Sequence, residues 1–249
     1  MKTEYGIQMY SLRDVTAKDL EGALATVAEM GYKYIEFAGF FGHSAESVKG
    51  MLDRNGLICS GTHTNWDELT SDRIVDTIRY HSKIGNKNII IPGFDRKEET
   101  LEKMIEVINY AQPILRENGI SLGYHNHSYE FLETPYGKII HKELETRTAV
   151  DFEIDTFWAF NAKINPTDIM ERLKDRIKVI HLKDGIPSAD GTENGAVGKS
   201  IGEGEAPIER IRAKALALGA LMVVESEGLD PTGPEEVRRC IKYLRTLDC

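Results

Sequence analysis

The run Val179-Ile180-His181-Leu182-Lys183-Asp184 decides the fold of this chain. It begins apolar and stops at a histidine, a lysine and an aspartate, as a buried strand with polar side chains at its carboxyl end does. Two other runs have the same form, at residues 150–155 and 221–225, and each ends on a residue that can bind a metal ion. The three runs predict parallel strands whose carboxyl ends carry the functional residues.

A helical pattern, then glycine, then a short apolar run recurs along the chain. Glycine adopts the left-handed conformation past a helix end at little steric cost, so each glycine marks a helix end and an approaching strand. These glycines are Gly31, Gly56, Gly85, Gly119 and Gly219. A spacing of about thirty residues is typical of a βα unit.

The apolar runs predict eight strands, at residues 5–10, 34–37, 58–63, 88–91, 121–125, 150–155, 179–184 and 221–225. Helical periodicity predicts helices at residues 19–30, 44–55, 72–84, 98–118, 139–145, 166–173, 207–218 and 234–247. Ser44 is the expected N-cap of the second helix. Residues 185–204 are expected to form a glycine-rich loop.

Eight strands too apolar for a solvated face, each followed by a helix, predict an α/β fold in which a parallel sheet closes into a (β/α)8 barrel. An open doubly wound sheet is the alternative. Such a sheet is expected to carry a Gly-x-Gly-x-x-Gly motif after its first strand. This chain has Gln8-Met9-Tyr10-Ser11 there instead, which argues against the open sheet. No linker interrupts the chain, so we expect one domain over residues 1–249.

The net charge and composition of the chain limit the partners and the compartment that we expect. The formal charge of −9 disfavours nucleic acid and anionic membranes as partners, because a polyanion is repelled on average. The chain has an odd number of cysteines without the spacing of a metal site: Cys59, Cys240 and Cys249. Such a set is typical of a protein in a reducing compartment, where disulfides do not form. Since no signal-type segment or stretch of 18 apolar residues is present, we expect a cytoplasmic protein.

The carboxyl ends of all barrel strands converge on one mouth. Buried charges cost several kcal/mol each unless they are paired or bound to an ion, so Asp155, His181 and Glu225 together predict one divalent cation. Taken singly, each is equally well a surface or N-cap group at a strand exit. Oxygen and imidazole ligands without thiolate suit Mn²⁺, Mg²⁺, Co²⁺ or Zn²⁺.

Four motifs along the chain resemble the sugar phosphate isomerase/epimerase family. This is the group of xylose-isomerase-like TIM barrels that includes ketose 3-epimerases, keto-inositol dehydratase and enzymes of 3-keto-glycosides. The motifs are Ile154-Asp155-Thr156-Phe157-Trp158, His181-Leu182-Lys183-Asp184, Val197-Gly198-x-x-Ile201-Gly202-Glu203-Gly204-Glu205 and Val224-Glu225-Ser226. The resemblance spans essentially the whole chain. It implies Asp155, His181 and Glu225 as metal ligands, with Mn²⁺ as the expected ion, and Glu225 also as a proton-transfer base.

The end of the fifth strand departs from the family pattern. Ketose epimerases carry a glutamate there, whereas this chain reads His125-Asn126-His127-Ser128-Tyr129-Glu130. The fourth ligand is then either His125 or Glu130 reaching back from the loop. We favour Glu130 on carboxylate chemistry, with His125 or His127 as acid/base; the alternative for His127 is a core histidine that donates to backbone.

The resemblance implies a metal-dependent isomerase or epimerase that acts on a keto-sugar or sugar derivative through an enediolate, which the ion stabilises. If the next carbon carries a leaving group, the same intermediate eliminates it, which makes the enzyme a dehydratase or lyase. We expect Glu36, His63 and Lys183 to bind substrate, although a salt bridge to Asp184 is as good a role for Lys183. Trp158 is expected to face the C–H groups of the sugar.

Two other functions fit a barrel of this kind. An endonuclease-IV-like enzyme for abasic DNA requires a basic rim, which the negative charge opposes. A barrel that binds sugar without turnover is opposed by the acid/base candidates. We therefore expect a small-molecule sugar as the partner, and the sequence leaves open whether the chain forms a homo-oligomer.

Overall fold

The computed structural model describes residues 2–248 and contains a closed barrel of eight parallel strands, which confirms the predicted fold class. Cys249, the third cysteine, lies outside the described residues. In the order in which they pair around the barrel, the strands are β1 (Gly6–Gln8), β10 (Leu221–Val224), β7 (Ile177–Leu182), β6 (Asp151–Asp155), β5 (Ser121–His125), β4 (Asn88–Ile91), β3 (Ile58–His63) and β2 (Tyr34–Phe37).

Helices surround this barrel and follow the strands in sequence. They are α1 (Arg13–Thr16), α2 (Leu20–Met30), α3 (Ala45–Arg54), α4 (Ile74–Ile84), α5 (Glu98–Glu117), α6 (Ile140–Arg147), α7 (Thr156–Asn161), α8 (Pro166–Arg172), α9 (Ile208–Leu218) and α10 (Gly233–Thr246). Short 3₁₀ segments lie at Met9–Leu12, Trp66–Leu69, Tyr129–Phe131 and Lys174–Arg176. Within residues 2–248, no helix has both the length and the apolar character needed to cross a bilayer.

The predicted helix boundaries have identifiable causes. The side chain of Ser44 accepts a hydrogen bond from the Ser47 N–H and caps α3, as expected. Gly31 and Gly85 adopt the left-handed conformation and end α2 and α4, with φ of 93° and 77°. Glycine is needed at these two positions because a Cβ disfavours positive φ.

Strand register brings the polar residues to one level. Gln8 pairs with Glu36, and Asp155 pairs with His181. Val224 pairs with Leu182, which places Glu225 just beyond the end of β10. Because parallel strands run in one direction, these side chains meet at the carboxyl end of the barrel.

Three segments differ from the prediction. The first strand ends at Gln8, whose side-chain oxygen accepts the Tyr10 N–H and begins a 3₁₀ turn. Helix α7 follows β6 directly, because Asp155 accepts the Trp158 N–H and caps it. Within the predicted glycine-rich loop, β8 (Asp184–Ile186) and β9 (Val197–Lys199) form an antiparallel hairpin.

Asp184 holds the loop that follows this hairpin. Its carboxylate accepts the backbone N–H groups of Gly185, Gly202, Gly204 and Ala206 at 2.8–3.0 Å. A Cβ on Gly204 would lie 2.2 Å from the carboxylate, so only glycine allows this close approach. One buried carboxylate therefore replaces water as the partner of four donors.

We predict that Asp184→Ala lowers the free energy of unfolding by about 3 kcal/mol, because it leaves one buried and three partly buried backbone N–H groups without their acceptor. Urea denaturation followed by circular dichroism measures the change. Asp53→Ala, which removes an exposed carboxylate paired with Lys49, is the matched control and should leave the denaturation midpoint unchanged. A wild-type midpoint for Asp184→Ala would contradict the anchoring role.

Candidate functional site

Four buried side chains meet at the carboxyl end of the barrel, and we call them the mouth cluster: His125, Asp155, His181 and Glu225. Each contributes one donor atom, and these atoms lie within 4.8 Å of one another. His181 Nδ1 lies 3.2 Å from Glu225 Oε2, and His125 Nε2 lies 3.6 Å from Asp155 Oδ2. Two imidazoles and two carboxylates form a donor set for a divalent cation.

A second group lies next to the first, and we call it the deep cluster: Glu36, His63, Glu153 and His181. His181 Nε2 lies 2.7 Å from Glu36 Oε1 and 3.0 Å from Glu153 Oε1. His63 Nε2 lies 3.2 Å and 3.1 Å from the same two oxygens. His181 therefore faces the mouth cluster with Nδ1 and the deep cluster with Nε2.

The two carboxyl groups of the mouth cluster have different pKa values. Burial raises the pKa of Asp155 to about 6, although Lys183 opposes the shift. Burial acts in the same direction on Glu225, but Lys183 and His181 outweigh it and hold the pKa of Glu225 well below its usual value. Glu225 is thus a carboxylate at neutral pH.

The histidines divide in the same way. Burial would lower the pKa of His181, but Glu153, Glu225 and Glu36 raise it well above the usual value. Burial, reinforced by His181 and His63, holds the pKa of His125 well below the usual value. His125 is therefore neutral, which is the form that binds a metal or accepts a proton.

Lys183 is buried behind the mouth cluster. Its Nζ lies 2.6 Å from Glu227 Oε2, 3.1 Å from Glu225 Oε2 and 3.6 Å from Asp155 Oδ2. It also lies 4.6 Å from the centre of the Trp158 ring. The ammonium therefore pairs with these carboxylates, whereas Asp184 binds backbone N–H groups. Trp158 packs against Lys183 and donates its backbone N–H to Asp155.

Glu130, which the sequence favoured as the fourth ligand, occupies a different position. Its Oε1 accepts the Tyr124 hydroxyl at 2.8 Å and its Oε2 accepts the His127 N–H at 2.7 Å. Burial raises the pKa of Glu130 to about 7. The structure brings His125, and not Glu130, into the mouth cluster, and Glu130 holds the loop that carries His127.

A cavity of about 400 Å³ opens above the mouth cluster. It is lined by Tyr10, Ala38, Gly39, His63, Asn65, Pro92, His125, His127, Glu225 and Glu227. Burial and the neighbouring His125 hold the pKa of His127 well below its usual value, so this ring is neutral. Such a cavity is large enough for a small molecule.

A larger cavity of about 530 Å³ adjoins the first and shares Gly39, His63 and Asn65 with it. Arg73 is the one lysine or arginine among the described residues that line either cavity. Its guanidinium lies 3.2 Å from Asp67 Oδ2 and 3.0 Å from Glu68 Oε1, so nearby carboxylates already balance its charge.

Sequence reasoning missed Glu153 and Glu227. Glu153 precedes Asp155 by two residues and Glu227 follows Glu225 by two. Side chains alternate along an extended chain, so residues two apart share a side. Applied to the predicted ligands Asp155 and Glu225, this rule identifies Glu153 and Glu227. The same rule applied to His181 identified Lys183.

Comparisons with known proteins agree with this architecture. Residues 24–247 match the profile of the family described as xylose isomerase-like TIM barrel. A crystal structure of a sugar phosphate isomerase/epimerase from Parabacteroides distasonis superposes with a TM-score of 0.80 at 27% identity, over 98% of this chain and 97% of that one.

Two curated proteins also match. Inosose dehydratase of Geobacillus kaustophilus is 26% identical over 188 residues, which are 65% of this chain and 60% of that protein. The match thus spans less than two thirds of the dehydratase. The 2-oxo-tetronate isomerase of Haemophilus influenzae is 22% identical over 196 residues, which are 68% of this chain and 76% of the isomerase.

We predict that the Glu130 carboxyl titrates near pH 7 in the folded protein, because burial disfavours its charge. In Tyr124→Phe the midpoint should rise further, since the Tyr124 hydroxyl donates to the carboxylate. Since the folded pKa exceeds the ordinary value of 4.5, stability should fall as the pH rises from about 4.5 to about 7, the range in which only the unfolded chain has ionised at Glu130.

Carbon-13 NMR of side-chain-labelled glutamate measures this midpoint. Tyr80→Phe is the matched control, because the Tyr80 hydroxyl donates to the His43 carbonyl, and it should leave the midpoint unchanged. A Glu130 signal that titrates with the exposed glutamates would contradict the burial argument.

Proposed function

Because the chain belongs to the xylose isomerase-like TIM barrel family, we propose that it is a divalent-metal-dependent isomerase or epimerase of an uncharged keto-sugar. The observation that carries the proposal is the mouth cluster, two imidazoles and two carboxylates buried beneath a cavity of about 400 Å³. The relatives are isomerases, epimerases and a dehydratase, which supports an enzymatic role.

The mouth cluster fits a divalent ion. Asp155 Oδ2 and both ring nitrogens of His125 are buried without a hydrogen-bond partner among residues 2–248. Buried polar atoms are normally paired, so Asp155 Oδ2 and the unprotonated ring nitrogen of the neutral His125 point to a bound cation. We propose His125, Asp155, His181 through Nδ1, and Glu225 as ligands. Mn²⁺ is our proposed resident ion, because it accepts both oxygen and imidazole.

When bound, the ion supplies Lewis acidity to a substrate carbonyl and its neighbouring hydroxyl. His127 is neutral and lines the cavity, so its ring can accept a proton from the carbon that bears this hydroxyl, next to the carbonyl. Glu225 lines the same cavity as a carboxylate and serves as the second proton-transfer group. Return of the proton to the same carbon gives epimerisation, and return to its neighbour gives isomerisation.

The surrounding side chains orient the sugar. His63 and Asn65 lie where the two cavities join, so both are placed to bind hydroxyl groups. Lys183 pairs with Glu225 and Glu227 and opposes the effect of burial on both carboxyl groups, although the pKa of Glu227 stays raised by burial. Glu227 also lines the cavity, and we propose that it accepts a substrate hydroxyl.

The charges at the mouth favour a substrate without phosphate. TIM barrels often bind phosphate on backbone N–H groups of the loops after the seventh and eighth strands. Here the Gly202, Gly204 and Ala206 N–H groups donate to Asp184 instead. The protein's own carboxylate thus fills the anion site, and Arg73 is already paired.

Dehydration is the second candidate, and the match to inosose dehydratase favours it. Removal of the same proton followed by loss of a hydroxyl from the next carbon needs the same ion and the same base. A proton donor beside the leaving hydroxyl would then separate the two reactions, and His127 and Glu227 both line the cavity where it would lie.

We predict that Asp155→Ala/Glu225→Ala abolishes binding of Mn²⁺ at the mouth, since it removes both carboxylates. Among single variants, His125→Asn should weaken Mn²⁺ binding at least about 100-fold, because even loss of an outer partner of a ligand costs roughly 10–100-fold. Glu130→Gln, the matched control five residues away, should change Mn²⁺ affinity little. Competition with a chromophoric chelator measures the affinities. Comparable losses of Mn²⁺ affinity in His125→Asn and Glu130→Gln would contradict the assignment of His125 as a ligand.

We predict that the Mn²⁺-loaded enzyme exchanges a carbon-bound proton next to the carbonyl of an unphosphorylated keto-sugar in D₂O. The rate for a 6-phosphorylated counterpart should be roughly 10-fold or more lower, because its charge meets acidic surroundings and, among the described residues that line the cavities, no unpaired lysine or arginine. Loss of His127 in His127→Asn should slow exchange by about 10²–10⁴-fold. Proton NMR on matched pairs such as fructose and fructose 6-phosphate measures both effects. Preference for the phosphorylated sugar would contradict the charge argument.

A further inference from the structure

We propose that Arg96 is a positioning residue for His127, whose ring it holds in place through the ring of Tyr129. An ion pair between Arg96 and Glu193 ties this arrangement to the hairpin loop, residues 187–196, which joins β8 to β9. The role rests on the proposed function, in which His127 accepts the proton, and it names the groups that fix where the accepting ring lies.

Three side chains stack at the mouth of the barrel. The rings of His127 and Tyr129 are nearly parallel, with centroids 5.7 Å apart and an interplanar angle of 16°. The Arg96 guanidinium lies 3.7 Å from the centre of the Tyr129 ring. A planar guanidinium stacks on an aromatic face and is attracted to it. Arg96 therefore restrains the Tyr129 ring, against which His127 is stacked.

The His127 ring depends on such contacts for its orientation. Its Nδ1 is buried and has no hydrogen-bond partner among residues 2–248. The His125 ring meets it edge-on at 4.9 Å between centroids, and the Trp158 ring lies 6.1 Å away, tilted by 38°. Because no hydrogen bond fixes Nδ1, contacts between rings must set how the imidazole is turned toward the cavity that it lines.

An ion pair holds the Arg96 guanidinium over the Tyr129 ring. Its Nη2 lies 2.6 Å from Glu193 Oε2, in the hairpin loop. Partly exposed ion pairs contribute little to the stability of a fold. We therefore assign to this pair a geometric role, which is to keep the guanidinium on the face of Tyr129.

The hairpin loop is a firm support for this pair, because the buried side chain of Asn161 anchors it. Asn161 Oδ1 accepts the Ser188 N–H at 2.7 Å, and Asn161 Nδ2 donates to two carbonyl groups of the loop at 2.8 and 3.1 Å. The same Nδ2 lies 2.9 Å from Ser128 Oγ. Ser128 and Tyr129 follow His127 in the chain, so the loop holds this segment at two points.

The backbone at Arg96 also indicates a functional role for this side chain. Its φ is 65°, in the left-handed region that few residues other than glycine adopt. Such conformations persist where surrounding contacts hold them, and they cluster at functional sites. At Arg96 the contacts are those of the guanidinium with Tyr129 and Glu193. Glycine would relieve the backbone but would remove both contacts.

Arg96→Asn tests the proposal without straining the backbone, because asparagine tolerates the left-handed conformation. The kcat for proton exchange in D₂O by the Mn²⁺-loaded enzyme should fall roughly 10- to 100-fold, since misplacement of a reacting group by about 1 Å costs this much. KM and Mn²⁺ affinity should stay at their wild-type values, because Arg96 neither lines the cavities nor belongs to the mouth cluster. Proton NMR at several sugar concentrations separates kcat from KM.

Arg54→Asn is the matched control. Arg54 pairs with Glu21 at the same distance of 2.6 Å, and both side chains are exposed, but the pair joins α3 to α2. Its loss should leave kcat unchanged, and circular dichroism verifies that both variants are folded. A wild-type kcat in folded Arg96→Asn, or an equal loss in Arg54→Asn, would overturn the positioning role.

The NMR signals of the His127 ring give a readout that does not depend on activity. In protein with labelled histidine, the stacked Tyr129 ring shifts the His127 ring protons, and comparison with His127→Asn identifies their signals. We expect these signals to move in Arg96→Asn and to keep their wild-type positions in Arg54→Asn. Unmoved His127 signals in Arg96→Asn would contradict the proposal.

A double variant shows whether Arg96 acts through Tyr129. Tyr129→Leu removes the stacked ring and should lower kcat at least as much as Arg96→Asn does. Arg96→Asn/Tyr129→Leu should lose no more than Tyr129→Leu alone, because residues in direct contact that serve one purpose are not additive. Additive losses would show that Arg96 acts by another route and would refute the stack as its cause.

Failure of the proposed function would give a different result. If the wild type exchanges no proton of a keto-sugar, the isomerase assignment falls, while the His127 signals still decide whether Arg96 holds the ring. If the wild type exchanges protons and Arg96→Asn does so at the same kcat, the proposed function stands and the positioning role falls.

Discussion

The constraint on which the rest of the structure depends is the burial of carboxylates at the carboxyl end of the barrel. Four carboxyl groups, of Glu36, Glu153, Asp155 and Glu225, are each at most 3% exposed. Lys183 contacts Asp155 and Glu225, whereas His63 and His181 contact Glu36 and Glu153. Uncompensated buried charges cost several kcal/mol each. A cation bound here is therefore linked to folding, because it stabilises the folded chain and not the unfolded one.

The barrel tolerates this cost because its strands are otherwise apolar. In β7, Val179, Ile180 and Leu182 are buried in the core around His181. The polar group thus enters the interior at the end of an apolar strand, and strand pairing holds it in place. Parallel register extends the arrangement to the neighbours, since Asp155 pairs with His181. The packing of these apolar strands therefore fixes the positions of the polar side chains at the strand ends.

The sequence predicted the barrel and three of the four mouth-cluster residues because both depend on local patterns. Apolar runs and glycines after helices mark the βα units, and the strand ends mark Asp155, His181 and Glu225. The choice between His125 and Glu130 depended on a loop conformation, which no period in the sequence encodes. Glu130 is held by the Tyr124 hydroxyl and the His127 N–H, and both contacts form only after the chain turns. The hairpin of β8 and β9 escaped prediction for a similar reason, since it pairs Asp184 with Lys199 across the intervening loop.

Lys183 has several carboxylate partners around the mouth cluster. Its ammonium lies near Asp155 Oδ2 and Glu225 Oε2, which are 3.6 Å and 3.9 Å from His125 Nε2. A divalent cation that binds those oxygens repels the ammonium at short range. Glu227 Oε2 lies 2.6 Å from the same Nζ, and the Trp158 ring also faces the ammonium. If the proposed ion were bound, the lysine could move toward Glu227 while remaining paired, and the carboxylates of Asp155 and Glu225 would be released to the ion.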